Sequence, residues 1–124
     1  MKFAKVVFLI AGIYGLIVMV PQYFLEARVG RDTPPPITHP EFYYGFIGVT
    51  LAWQVVFLIM SRDPARFRAI MIPSILEKIV FVIPALILFS QNRLASIVLA
   101  PAAFDLLLGV LFVIAFLKTR ERRE

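Results

Sequence analysis

Four long apolar runs set the limits on what this chain can become; they lie at about residues 4–24, 42–60, 69–90 and 94–117. Each approaches or exceeds the roughly 20 apolar residues that cross a hydrocarbon layer about 30 Å thick. Backbone polar groups in lipid must be bonded within their own segment or in a closed barrel, so runs of this length fold as helices. Little chain is left between them. There is room for a single membrane domain, 1–124, and for no soluble one. Short connections favour antiparallel neighbours. The expected fold is an all-α integral membrane protein: an antiparallel, up-down-up-down bundle of four transmembrane helices.

Composition agrees: 60% of the residues are hydrophobic, against 45–50% in ordinary soluble domains. The absence of cysteine excludes disulfides, thiol catalysis and cysteine-based metal sites, and with them the small four-span thiol oxidoreductases. A net charge of +5 could suggest nucleic acid, but its distribution points elsewhere. Lys2, Lys5, Arg62, Arg66, Arg68, Lys118, Arg120, Arg122 and Arg123 fall on one side of the spans, and only Arg28, Arg31 and Arg93 on the other. That bias places both termini in the cytoplasm. The basic tail, 118–124, then serves topology and contact with anionic lipid headgroups, and no nucleic-acid partner is expected.

Lys2 and Lys5 before an apolar stretch resemble a signal peptide, but no small-x-small cleavage site follows near Ala27, so the run reads as a retained helix. Pro21 should end or kink it. The Pro-rich outer loop, 25–41, should be extended at Pro34-Pro35-Pro36. Thr38 and Glu41 have the spacing of a capping box at the start of span two. His39 and Glu41 alone make a poor metal site, so no metal or other cofactor is expected. Asp63 and Pro64 read as a cap and first helical residue after span two. In span three, Pro73 either kinks one long helix or precedes a restart capped by Ser74 and Glu77. Ala11 with Gly15, and Gly48 with Ala52, have the small-xxx-small spacing of close helix contacts. Ala95, Ala102, Ala103 and Gly109 offer close-packing surfaces in span four. Phe8, Leu58 and Phe116 are expected to face lipid.

Chemistry, if any, rests on polar residues inside the spans. At about 1.5 Å per residue, Glu77 lies roughly 10 Å inside one boundary and Asp105 near the midplane. Gln54, Thr50 and Tyr14 also lie deep, and Tyr43, Thr50 and Gln54 share one helix face. Charges at such depth are costly unless paired or hydrated, so they face the bundle interior. Tyr14, Thr50, Gln54, Glu77, Lys78 and Asp105 are therefore the candidates for a ligand site or polar cavity, with no catalytic residue among them. Two readings of Lys78 are open. Its long stem can snorkel to the headgroups with Glu77 as local partner, or it can pair with Asp105 inside the bundle.

Size and span count resemble the small multidrug transporters, although the carboxylate those carry in their first helix has no counterpart before Glu26. Phe42-Tyr43-Tyr44, Gln54-Val55-Val56-Phe57, the arginine-rich turn, Pro73, Pro84 and Ala100-Pro101 resemble, over 42–124, the EXPERA fold of emopamil-binding proteins. Thr50 and Val80 stand where that family places an acid and a histidine. In length and span spacing the chain resembles the DoxX-like and related small four-span proteins of the bacterial cytoplasmic membrane, which implies that location. The function expected is non-enzymatic: an accessory subunit, or an intramembrane binder of a lipid-like or hydrophobic small molecule. A small proton-linked transporter using Glu77 or Asp105 is the alternative. A membrane-protein partner or homo-oligomer fits the accessory reading.

Overall fold

The structure is a computed structural model, and it describes residues 2–119. Helix α1, Lys2–Met19, continues as a tighter 3-10 turn over Val20–Phe24; a short helix α2, Glu26–Asp32, follows. Then come α3, Pro40–Arg62, α4, Met71–Ser90, and α5, Leu99–Lys118, the last two each entered through one 3-10 turn. The four segments Lys2–Phe24, Pro40–Arg62, Arg68–Ser90 and Ser96–Lys118 are each 23 residues long and apolar enough to cross a membrane. No strand occurs among the described residues. The all-α membrane bundle is therefore established. Arg120, Arg122 and Arg123 of the basic tail lie outside the described residues.

Packing follows side-chain size. Phe8, Phe57 and Phe112 are fully buried at the centre, with ring centroids 4.4 Å apart for Phe8–Phe112 and 5.1 Å for Phe57–Phe112. Ala4, Ala11 and Ala115 let the backbones close around them. Phe8 is thus a core residue and not a lipid-facing one. Phe116 is half-buried beneath Arg68, and Leu58 is half-buried against Gly12. The physical reason is that α1 is apolar all round; its small residues, not its large ones, choose the buried face. Gly12 and Gly15 bring α1 against Leu58 and Gln54 of α3. Gly48 and Ala52 do not form a comparable contact, since Ala52 is exposed.

The helices that pack are α1 on α3, α1 on α5, and α4 on α5. Around the bundle the order is α3, α1, α5, α4. Although consecutive in sequence, α3 and α4 hardly approach each other, so the expectation that consecutive spans pack together fails at this one seam.

Three local expectations change. Helix α3 starts one residue later than the Thr38–Glu41 box requires: its N-cap is His39, without a side-chain cap bond. Glu41 then falls too early for the reciprocal position and instead meets His39 Nδ1 at 3.0 Å. Pro73 lies in the first turn of α4, where its missing N–H has no intrahelical partner to lose, and Ser74 donates back to the Ile70 carbonyl at 2.7 Å. Ser74 therefore does not cap a restarted helix, since α4 already begins at Met71. Asp63 accepts from the Arg66 backbone at 3.4 Å, closing a turn that a 3-10 segment separates from α4.

Both ends of the bundle are fastened. At the basic end, Arg68 Nε donates to the Thr119 carbonyl at 2.6 Å and the Phe116 carbonyl at 3.3 Å, while its guanidinium stacks 3.7 Å over the Phe116 ring. These are end carbonyls that α5 itself leaves unbonded. At the opposite end, Tyr43 donates to the Gln22 carbonyl at 2.6 Å and Tyr44 to Glu26 at 2.9 Å. The segment after α1 is thereby tied to the top of α3.

Candidate intramembrane cavity

The open seam between α3 and α4 is where the molecule departs from a filled core. A cavity of about 740 Å³ lies there, backed by α1 and the start of α5. Tyr14, Thr50, Gln54, Glu77, Lys78 and Asp105 all line it. The shared face of α3 brings Tyr43 to the same space. Helical spacing could identify that face, but nothing in the sequence marked Trp53, Phe46 or Phe81 as lining, because aromatic residues occur on every face of these spans.

The polar cluster sits on the α4–α5 wall. Lys78 Nζ donates to Asp105 Oδ1 at 3.3 Å and lies 3.4 Å from Glu77 Oε2. Its side chain is only 5% exposed, which settles the two readings: Lys78 turns inward and does not snorkel. Gly109 opposite explains the direction, because the Lys78 stem packs where a side chain on α5 would stand. The ammonium also lies 5.3 Å from the Phe57 ring centroid, a distance at which the ring face attracts a cation. Inside a bundle a lone ammonium would be costly; two carboxylates and an aromatic face offset that cost.

The remaining candidates are arranged less tightly. Tyr14 stacks on Phe104 with centroids 3.9 Å apart, which holds its ring against α5. Gln54 is 1% exposed and donates through Nε2 to the Thr50 carbonyl at 2.8 Å. Its Oε1 has no hydrogen-bond partner, nor has Glu77 Oε2. Thr50 contributes its carbonyl to Gln54 rather than joining the charged cluster. Among the described residues no group of histidine and acidic side chains could hold a metal ion.

The mouth faces sideways. Its most exposed wall residues are Phe46 and Val49 on α3 and Leu76 and Val80 on α4. Val49 and Val80 each stand about 14 Å along their helices from opposite ends, near the middle of a 30 Å hydrocarbon layer. The Phe46 and Phe81 rings, 6.5 Å apart between centroids, bridge the seam. A molecule reaching the charged cluster through this opening comes from the acyl chains and not from water. The chain matches no family model, no curated protein and no solved structure.

Proposed function

We propose that this protein is a non-enzymatic intramembrane binder of a lipid-like small molecule, taken up from the bilayer between α3 and α4. The observation that carries this reading is the 740 Å³ cavity, with mainly apolar walls and one polar cluster. Pockets for small amphipathic ligands have this form: apolar lining for the body and few polar groups to fix its orientation. The cluster contains no arrangement of nucleophile and base, so binding is favoured over catalysis.

Native mass spectrometry of protein released gently from its membrane tests the reading. The wild type is expected to retain an adduct of lipid or small-molecule mass. The double variant Val49→Phe, Val80→Phe, which fills the mouth, is expected to lose it while remaining folded. Equal adducts on both proteins, or none on either, would overturn the reading; a retained second protein chain would favour the accessory-subunit role. A proton-linked transporter is the second reading, favoured by the charged cluster in the cavity wall. Proton-dependent efflux of the retained molecule from proteoliposomes, lost on Asp105→Asn, would distinguish it.

A further inference from the structure

Charge counting within the cavity wall narrows the class of occupant. Of the lining residues, Glu77 and Asp105 are acidic and Lys78 alone is basic. Lys78 is already engaged, hydrogen-bonded to Asp105 and enclosed between Phe57 and the second carboxylate. It has no free face to offer an anion. The Lys78–Glu77 approach lacks hydrogen-bond geometry and leaves Glu77 Oε2 without a donor. Asp105 and Lys78 therefore form the hydrogen-bonded pair, and Glu77 is the second carboxylate beside a single ammonium.

The wall is also short of donors. Gln54 Oε1, on a side chain that is 1% exposed, has no hydrogen-bond partner. Buried acceptors without donors are uncommon in folded proteins, and each asks for an explanation. Glu77 lines the cavity with 17% of its side chain exposed, so the carboxylate itself is within reach of an occupant. Tyr14, Trp53, Phe46 and Phe81 present aromatic rings to the same space, and ring faces attract cations, not anions. Fatty acids and phosphate-bearing lipids meet the wrong sign here. Gln54 Oε1 is packed against Gly15 and out of reach, but a single protonated amine matches the second carboxylate in charge and brings Glu77 a donor.

We infer that the occupant is an amphipathic primary or secondary amine, its ammonium held by Glu77 and its apolar body extending through the α3–α4 mouth. This rests on the ligand-binding reading above, and the experiment separates the two. Trp53 is the only tryptophan and lines the cavity, so its fluorescence reports occupancy directly. The protein is reconstituted in phosphatidylcholine nanodiscs. It is titrated with three quenchers that share one terminally brominated undecyl chain and differ only in the head: amine, alcohol or carboxylate. Saturable quenching by the amine is expected at concentrations at least ten-fold lower than by the alcohol, with the carboxylate weakest. In Glu77→Gln the amine should fall to the level of the alcohol.

Equal affinity for amine and alcohol in the wild type, or tighter binding of the carboxylate, would overturn the amine inference and leave the binding reading standing. Absence of saturable quenching by all three would overturn both. The wild-type comparison needs no variant. Should Glu77→Gln not fold, an acetylated form of the amine probe makes the same test from the ligand side, since it keeps the chain and loses the charge. Undiminished binding of the acetylated probe would sink the inference.

Discussion

The side-chain amide of Gln54 occupies the space that any side chain at Gly15 would fill. This fixes α1 against α3 beside the cavity. Gly15→Ala should therefore destabilise the protein, although alanine is the better helix former. Overpacking costs about 1–3 kcal/mol and the helix gain returns about 1 kcal/mol; with the Gln54 amide directly in the way the upper part of that range applies, for a net loss of up to about 2 kcal/mol. Thermal unfolding followed by Trp53 fluorescence in detergent measures it. Adding Gln54→Ala should restore much of the loss; an unchanged melting temperature in Gly15→Ala would contradict the packing.

The cluster at the α4–α5 wall predicts an order of damage. Lys78→Met leaves two buried carboxylates facing each other and should cost about 3–5 kcal/mol, the range for breaking a buried ion pair. Glu77→Gln leaves Lys78 and Asp105 as a one-to-one pair and should cost no more than about 1 kcal/mol. Asp105→Asn falls between, because the remaining partner, Glu77, lacks the hydrogen bond. Urea unfolding in mixed micelles ranks the three. Equal damage from Lys78→Met and Glu77→Gln would show that the charges are not arranged as one pair plus one surplus.

Arg68 holds the last turn of α5 through two carbonyls and one ring. Arg68→Ala should cost about 1.5–3 kcal/mol, the range for hydrogen bonds to a charged group. Arg68→Lys should recover only part, since an ammonium cannot reproduce the planar stacking on Phe116. Hydrogen exchange at the amides of 115–119 is the local readout. Full recovery by lysine would reduce the contact to a simple charge effect.

At the tyrosine end, Tyr43→Phe removes the 2.6 Å bond to the Gln22 carbonyl, which keeps only the longer one from the Leu25 N–H at 3.3 Å. A loss of about 0.5–1.5 kcal/mol is expected, together with faster proteolysis within 25–39, the segment released from α3. Unchanged cleavage of this segment would show that other contacts hold it.

We expect the basic end to face the cytoplasm, from the lysine and arginine bias across the spans. The chain has no cysteine, so single cysteines report topology cleanly. Arg31→Cys should react with an impermeant maleimide on intact cells, whereas Lys118→Cys should not. The reverse pattern would invert the orientation.

Four spans were legible because length and hydropathy alone define them, and the deep polar residues were legible because charge in lipid is rare enough to mark itself. Which face of each helix turns inward was harder to read. Phe8 looked no different from Leu9 or Ile10 in sequence, and only the neighbouring Ala4, Ala11, Gly12 and Gly15 decide that Phe8 is enclosed. Lys78 was ambiguous for a related reason. Its stem can reach the headgroups or the interior, and the absence of a side chain at Gly109, 31 positions away, determines which. Helix α2 had no apolar periodicity to announce it, and the cap of α3 moved by one residue, within the usual uncertainty of helix ends. The polar residues of the cavity were legible, but its place at the α3–α4 seam was not, since it exists through the failure of two consecutive helices to meet.

That failure has a mechanical consequence. The molecule is two antiparallel hairpins, α1 with α3 and α4 with α5, joined along the single α1–α5 spine where Phe8 stacks on Phe112. Such a body opens like a book. Swinging α3 away from α4 would widen the fore-edge; among the described residues it would part Phe46 from Phe81 and loosen Phe57 from Phe112 and from the Lys78 ammonium, while contacts within each hairpin are kept. On the binding reading proposed above, guests of different girth would then be admitted through one hinge, and the lateral pressure of the surrounding bilayer would be the spring that closes the covers.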